Sequence, residues 1–235
     1  MRVAVPNCRI RPMRPDDIRR VLDIERQSFP TMWPQTVYQR ELKNKMARYF
    51  VAYEPAAERA EPESASSQPP SRLGRLVQRF FGGPPAPSSD RILGMVGLWC
   101  AMGEGHIVTI AVRMEQRRLG IGELLLVAAL EAAMEAGQDE VTLEYRVSSR
   151  AARALYDKYG FNQVGVRARY YSDNQEDAVL MTTPPLRSLP YRRLLARRVA
   201  EQQARWGDDY PLAGYGKRLA GATPPGLTWR GHRFA

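Results

Sequence analysis

Apolar and polar residues alternate over 8–13, which predicts a first strand. Ile18, Val21, Leu22 and Ile24 then recur at helical spacing, predicting a helix over 16–28. A second helix is expected over 34–46, with Pro34 suited to its first turn. Residues 49–53 and 91–101 are apolar runs of strand length, and the second turns back through Gly103-Glu104-Gly105 into a strand over 106–112. A strongly apolar helix over 120–136 is closed by Gly137. Beyond it come a strand over 141–147, a helix over 149–159 closed by Gly160, and strands over 161–170 and 178–181. Strands and helices interleave throughout, so the fold class is α/β: one mixed sheet flanked by helices, not separate domains.

Two stretches break this rhythm. Residues 54–90 hold seven prolines among many Ser, Glu and Ala, too little apolar surface to offset ordering, and read as a flexible insertion. Inside it Leu73, Leu76, Val77, Phe80 and Phe81 fall on one helical face, with Arg72, Arg75 and Arg79 elsewhere on the wheel. That pattern fits a basic amphipathic helix for a membrane surface or partner, or a turn packed onto its own domain. Residues 184–235 form a basic C-terminal extension, in which 191–206 has helix-forming composition and the remainder is irregular. It reads as an addition whose removal after Pro185 leaves the catalytic body working.

Composition narrows the class. The 235 residues are 44% hydrophobic and 26% charged, which supplies a core and excludes a wholly disordered, collagen-like or disulfide-held chain. Lys and Arg number 35 against 25 Asp and Glu, a net charge of +10. Such a balance admits RNA or another anionic surface as a partner. Only Lys43, Lys45, Lys158 and Lys217 are lysines, however, so an Arg-rich codon bias explains it equally well. From 186 onward ten basic residues face three acidic ones, which places most of the excess in the extension. Cys8, Cys100, His106 and His232 form no metal-binding spacing, so neither a metal nor a His-based triad is expected. No stretch has signal-peptide or membrane-span character, and the expected location is the cytoplasm.

Two motifs carry chemistry. In Arg117-Arg118-Leu119-Gly120-Ile121-Gly122 a basic turn opens the apolar helix. Unpaired N–H groups and the positive helix end suit a pyrophosphate there, and Arg117 and Arg118 add charge. A tight turn alone is the other reading. In the strand 141–147, Glu144 shares a face with Thr142 and Arg146, opposite Val141, Leu143 and Tyr145. A carboxylate in mid-strand fits either the wall of a cleft or a surface pair with Arg146. Tyr156, twelve residues on, reads on its own as helix packing.

Taken together, Arg117-x-x-Gly120-x-Gly122, Leu143-Glu144, Ala154-Leu155-Tyr156-x-Lys158-x-Gly160-Phe161, Arg169-Tyr170-Tyr171 and Glu176-Asp177-Ala178 resemble the GNAT acetyltransferases. Ile24-Glu25, Ser28-Phe29-Pro30 and Trp33 strengthen the likeness to their RimI type, which acetylates the N-terminal alanine of a small-subunit ribosomal protein. The resemblance spans residues 8–183 outside the insertion. It implies a sheet splayed between its fourth and fifth strands with acetyl-CoA as co-substrate in the opening. It also implies the pyrophosphate on Arg117 to Gly122 and the pantetheine along Ile110, Ala111 and Val112. Ser149 stands where the family often has an Asn contact to CoA, and a serine there can also cap the helix. Glu144 is implied as general base, Tyr156 as general acid, and Phe29, Trp33, Tyr170 and Tyr171 as the acceptor groove. Competing functions are a broader N-terminal or small-amine acetyltransferase, and an acetyl-CoA-binding module docked on RNA through its basic tail.

Overall fold

Residues 91–101 are apolar almost without interruption, as a strand covered on both faces must be. The computed structural model, which describes residues 7–29, 37–56 and 90–212, places them third in a seven-stranded sheet ordered β1-β2-β3-β4-β5-β7-β6. The strands are β1 (Arg9–Pro12), β2 (Ala47–Glu54), β3 (Arg91–Ala101), β4 (Glu104–Val112), β5 (Glu140–Arg146), β6 (Asn162–Tyr171) and β7 (Glu176–Thr182). Every adjacent pair is antiparallel except β4 with β5. The helices are α1 (Ile18–Ser28), α2 (Tyr38–Glu41), α3 (Ile121–Glu135), α4 (Arg150–Lys158) and α5 (Leu189–Trp206).

The two faces of β3 feed two cores. Ile92 and Met95 join Val21 and Ile24 of α1 and Tyr38 of α2 on one side. Leu93, Val96 and Leu98 join α3 on the other. Apolar residues lie on nearly every side of α3, and it is accordingly buried at Ile121 and from Leu124 through Ala133. At the outer end of β1, the Arg11 guanidinium grips buried Asp17 through two bonds of 2.6 and 2.9 Å and reaches Asp90 at 3.1 Å. Glu54 and Arg91 are register partners, so the insertion leaves and re-enters at the tip of a β2–β3 hairpin. The flexible segment expected over 54–90 lies mostly outside the described residues, including its amphipathic stretch 71–81.

Two expectations change. The helix expected over 34–46 survives among the described residues as the single turn α2. Asn44 ends the helical run: its side-chain oxygen accepts the Met46 N–H at 3.0 Å and its carbonyl accepts the Ala47 N–H at 3.1 Å. That local bonding competes with helix and delivers the chain into β2.

The basic extension is also more than an addition. Leu186, Tyr191, Leu195, Val199, Trp206, Tyr210 and Leu212 are all buried in the same core as α3. In the sequence Leu194, Leu195 and Val199 can share a helical face, and the rest of this buried set lies outside that group. Residues 213–235 lie outside the described part. Burying a large apolar side chain is worth about 1.5–3 kcal/mol. The six largest of these therefore contribute on the order of 10 kcal/mol, comparable to a whole domain's stability. A chain ending at Pro185 is expected to lose cooperative thermal unfolding, whereas a chain ending at Leu212 keeps it; calorimetry on both checks this.

Candidate active site

Parallel β4 and β5 hydrogen-bond only over Glu104 to Ile107 against Glu140 to Leu143. Immediately beyond, β4 carries an extra residue, Val108, between the Gly97–Thr109 and Leu98–Ile107 pairs with β3. Such a bulge bends and twists its strand. β4 follows β3 while β5 follows β7, and a cleft opens between Val108–Val112 and Glu144–Arg146. Gly94 keeps the diverging half of β4 tight: a methyl group there would lie 2.8 Å from the Ala111 carbonyl oxygen and 3.0 Å from Leu125 Cδ1. Along this stretch Ile110 and Val112 are half-buried and Ala111 is buried. They line the cleft by backbone more than by side chain.

The cleft leads to the start of α3. A short turn over Met114–Gln116 is followed by Arg118 at φ +67° and Gly120 at φ +93°. The left-handed conformation at Gly120 suits a residue without Cβ. The Ile121 and Gly122 N–H groups that open α3 have no acceptor one turn back, while that of Glu123 donates to the Gly120 carbonyl at 3.1 Å. Ile121 is buried and Leu119 half-buried, so they offer backbone rather than side chains.

Arg117 is otherwise engaged. Its Nε donates to the Val112 carbonyl at 3.0 Å and its Nη2 to Ser28 Oγ at 3.3 Å, stapling the turn to β4 and to the end of α1. Exposed Arg118 remains beside the turn. Arg205 of α5 joins it, with Nη1 3.2 Å from where a Cβ of Gly120 would stand. N–H groups, a glycine and two guanidiniums together fit a pyrophosphate.

Glu144 occupies the apex of the cleft, on the first row where β4 and β5 no longer pair. Its neighbours Leu143 and Tyr145 are buried toward α3, so its own side chain takes the opposite face. That side chain is 13% exposed, with Oε1 2.8 Å from Arg167 Nη1 of β6 and Oε2 3.2 Å from His106 Nε2 of β4. A pair between Glu144 and Arg146 is not what forms. Arg146 instead binds Asp173 at 2.9 Å and Glu176 at 3.4 Å.

Tyr156 approaches from the other face. It is buried in α4 with its ring 5.7 Å from Tyr145 and 5.6 Å from Phe161. Burial, reinforced by the neighbouring Tyr171 and Tyr145, pushes its hydroxyl well above the ordinary phenol value. Glu144 and Tyr156 thus flank β5 from opposite sides, and the splay is where those sides communicate.

The remaining candidates divide. Phe29 is exposed at the end of α1, and Trp33 lies outside the described residues. β6 slips against β7 between Arg167 and Tyr171, with Arg169 at φ +52° and its N–H on Asp177 Oδ1 at 2.8 Å. The slip lets two consecutive tyrosines, Tyr170 and Tyr171, pack edge to face at 5.2 Å. Burial pushes Tyr171 up to about 12, opposed by the Arg146 guanidinium 3.8 Å over its ring. Ser149 does stand at the N-terminus of α4, but its side chain makes no capping bond, which corrects one expectation. Its ψ of 79° departs from the extended geometry that aims a cap hydroxyl at the first turn. Sequence reasoning passed over His106, Arg167 and Arg205, since no local motif includes them. The one available signal for His106 was its alternation onto the face of β4 that meets Thr142.

The loop from β5 to α4 is held by Glu176. Bonds from Ser148, seconded by Asn174 and Arg146, hold its carboxyl down at about 2; the Ser148 N–H donates at 2.7 Å. Among the described residues no group of three or more His, Cys, Asp or Glu could hold a metal ion, and no helix is long and apolar enough to cross a membrane.

A mixed sheet splayed at its one parallel pair, with a glycine turn opening a buried helix beside the gap, is the architecture of the GNAT fold. Residues 18–161 match the acetyltransferase (GNAT) family model, and the chain belongs to that family. It is 31% identical over 173 residues to the Bacillus subtilis protein named "Putative ribosomal protein bS18-alanine N-acetyltransferase", covering 73% of this chain and 92% of that one. It is 34% identical over 177 residues to an N-alpha-acetyltransferase of Sulfurisphaera tokodaii, covering 75% and 92%. The crystal structure of the ribosomal-protein-S18-alanine N-acetyltransferase from Escherichia coli shares the fold. Its TM-score is 0.55 at 20% identity, over 76% of this chain and 94% of that one.

The depressed Glu176 value sets an acid limit. A carboxyl lowered on folding adds stability that is complete above its unfolded value near 4.3 and is lost as pH falls toward 2. Urea midpoints of wild type and Glu176→Gln should therefore differ most above pH 5 and converge between pH 4 and 2.

Proposed function

We propose that the protein transfers the acetyl group of acetyl-CoA to the N-terminal α-amine of a protein, with the N-terminal alanine of a small-subunit ribosomal protein as preferred acceptor. The observation that carries this reading is Glu144 at the apex of the splay, a carboxylate held between β4 and β6 beside a pyrophosphate-fitting turn. The names of the two curated relatives supply the acceptor class.

The chain's own groups divide the work. The turn from Arg117 to Gly122, with Arg118 and Arg205, holds the pyrophosphate, and the freed edge of Ile110 to Val112 aligns the pantetheine. Acetyl-CoA supplies the activated acyl group. A backbone N–H on that edge stabilises the negative charge that builds on the thioester oxygen. Glu144 takes the proton of the attacking amine, and an α-amine suits it. With pKa values near 7.8 and 10.4, an α-amine at pH 7 is neutral roughly 340 times more often than a lysine.

Tyr156 faces the departing sulfur. Its raised value makes full transfer to a thiolate of ordinary pKa near 8.5 uphill, so its hydrogen bond, more than a free proton, stabilises the leaving group. Phe29, Tyr170 and Tyr171 are assigned to the acceptor groove; Trp33 lies outside the described residues. A broader N-terminal specificity is favoured by the likeness to the archaeal N-alpha-acetyltransferase, and peptide preference separates the two readings.

An acetyl-CoA assay over peptides that differ only in their first residues should favour N-terminal alanine at least tenfold, while a peptide with a blocked N-terminus and an internal lysine stays unmodified. Acetylation of that lysine would overturn the assignment. Glu144→Gln should lower kcat by 10²-fold or more with little change in the KM for acetyl-CoA. Tyr156→Phe should lower kcat less.

The pH profile has a signed expectation too. The rate rises as the acceptor amine deprotonates near pH 8, and Tyr156 stays protonated beyond pH 10, so kcat/KM measured from pH 6 to 10 shows no falling limb from this tyrosine.

A further inference from the structure

Glu144 is the inner end of a row of polar side chains that leads out of the cleft. Its Oε2 lies 3.2 Å from Nε2 of His106. The other ring nitrogen, Nδ1, lies 2.9 Å from Thr142 Oγ1, and the Thr142 hydroxyl donates to Glu104 Oε1 at 2.6 Å. Exposure grows along the row, from 13% for the Glu144 side chain to 34% for His106, and Glu104 is exposed. The row follows from the parallel register. His106 is the partner of Thr142, so residues 104 and 106 of β4 and 142 and 144 of β5 share one face.

Counting protons restricts what this row can be. Thr142 has one hydroxyl proton, and the geometry gives it to Glu104. Its oxygen then offers His106 only a lone pair, so Nδ1 carries a proton and donates it. Nε2 is left facing the Glu144 carboxylate, able to take a proton from it. Other charged groups near Glu144 are already committed. Arg167 holds Oε1 at 2.8 Å, Arg146 is paired with Asp173 and Glu176, and Tyr171 stays a neutral phenol until about pH 12.

We propose that His106, Thr142 and Glu104 form the exit path for the proton that Glu144 removes from the acceptor amine. The inference rests on the reading of Glu144 as the base. As the amine nitrogen bonds to the acyl carbon, its N–H bond breaks and the proton passes to Glu144. It moves from Oε2 to Nε2 of His106, while the Nδ1 proton passes to Thr142 Oγ1 and the former hydroxyl proton passes to Glu104. Glu104 releases it to water, and the half-exposed imidazole regains its first tautomer by exchange with solvent. The net change is one proton from the amine to bulk water, with the three side chains restored. His106 touches neither substrate and acts through Glu144, which makes it a positioning residue that also relays the proton.

The test uses the full-length enzyme, acetyl-CoA and a peptide with N-terminal alanine. His106→Gln keeps a polar side chain beside Glu144 but cannot pass a proton through a ring, and Thr142→Val breaks the path without touching the His106–Glu144 contact. Both are expected to lower kcat between pH 6 and 9, about tenfold and threefold, with the KM for acetyl-CoA and the melting temperature unchanged; full loss of an acid–base group costs 10²–10⁴. Added imidazole should restore His106→Ala severalfold. Wild-type kcat in either His106→Gln or Thr142→Val, or a loss in His106→Ala that imidazole does not relieve, would overturn the path. Glu144→Gln in the same assay separates the two levels. If it is inactive while the His106 and Thr142 variants are fully active, only the exit path fails. If it turns over like wild type, the assignment of the base fails with it.

Discussion

The parting of β4 from β5 after Ile107 and Leu143 is the constraint on which the functional half of this molecule depends. Four paired residues on each strand hold the sheet together, and the next row is open. One bulged residue, Val108, turns β4 away, and β5 keeps company with β7 over its whole paired length. The opening creates an edge inside the sheet, where backbone groups of β4 are available to a ligand instead of to a neighbouring strand. Glu144 stands at the apex because it is the first residue of β5 past the last pair. The charge that a mid-strand carboxylate normally brings as a liability is matched by Arg167 of β6, with the His106 ring of β4 on its other oxygen.

Around this opening the C-terminal segment acts as a clasp. Tyr159 donates to Glu123 at 3.0 Å and accepts from Gln202, and Gln202 in turn accepts from Tyr210 at 3.0 Å. Lys158 meets the same Glu123 at 2.6 Å, and Arg198 donates to the Lys158 carbonyl at 3.0 Å. The end of α4, the first turn of α3 and the second half of α5 are therefore joined by one connected polar network. Networks of this kind rigidify when every member is satisfied. Among the arginines that give the extension its charge, Arg197 and Arg198 pair with Glu201 and Arg205 is laid against the glycine turn.

Much of this architecture was legible in the residues. The β5 alternation correctly placed Leu143 and Tyr145 inward and Glu144 outward, and the apolar run of β3 came out with its ends at Arg91 and Ala101. What stayed hidden involves contacts between distant segments. Leu195 and Val199 can share a helical face with Leu194 in the sequence, but that Tyr191 and Trp206 join them in the core follows only from how α5 packs. Arg117 has the residue type of a phosphate ligand, yet Ser28 is 89 positions away and claims it. His106 was isolated in the sequence and becomes Glu144's neighbour only through the parallel register of β4 and β5. Ser149 shows the converse: the right residue at a helix start whose backbone angle directs the hydroxyl elsewhere.

The matched pair Glu54 and Arg91 has a consequence for how this fold tolerates change. Chain length added at a hairpin tip whose two ends are already held one strand spacing apart costs little closure entropy, about 0.6 kcal/mol for each doubling. The tip projects from the end of β2 and β3 beside Arg11 and Asp90, at the end of the sheet where the Leu93 carbonyl accepts the Arg113 N–H at 2.8 Å in the turn after β4. It is a natural grafting point, where a reporter domain or an affinity handle could be spliced into the chain within a few residues of the turn that closes β4.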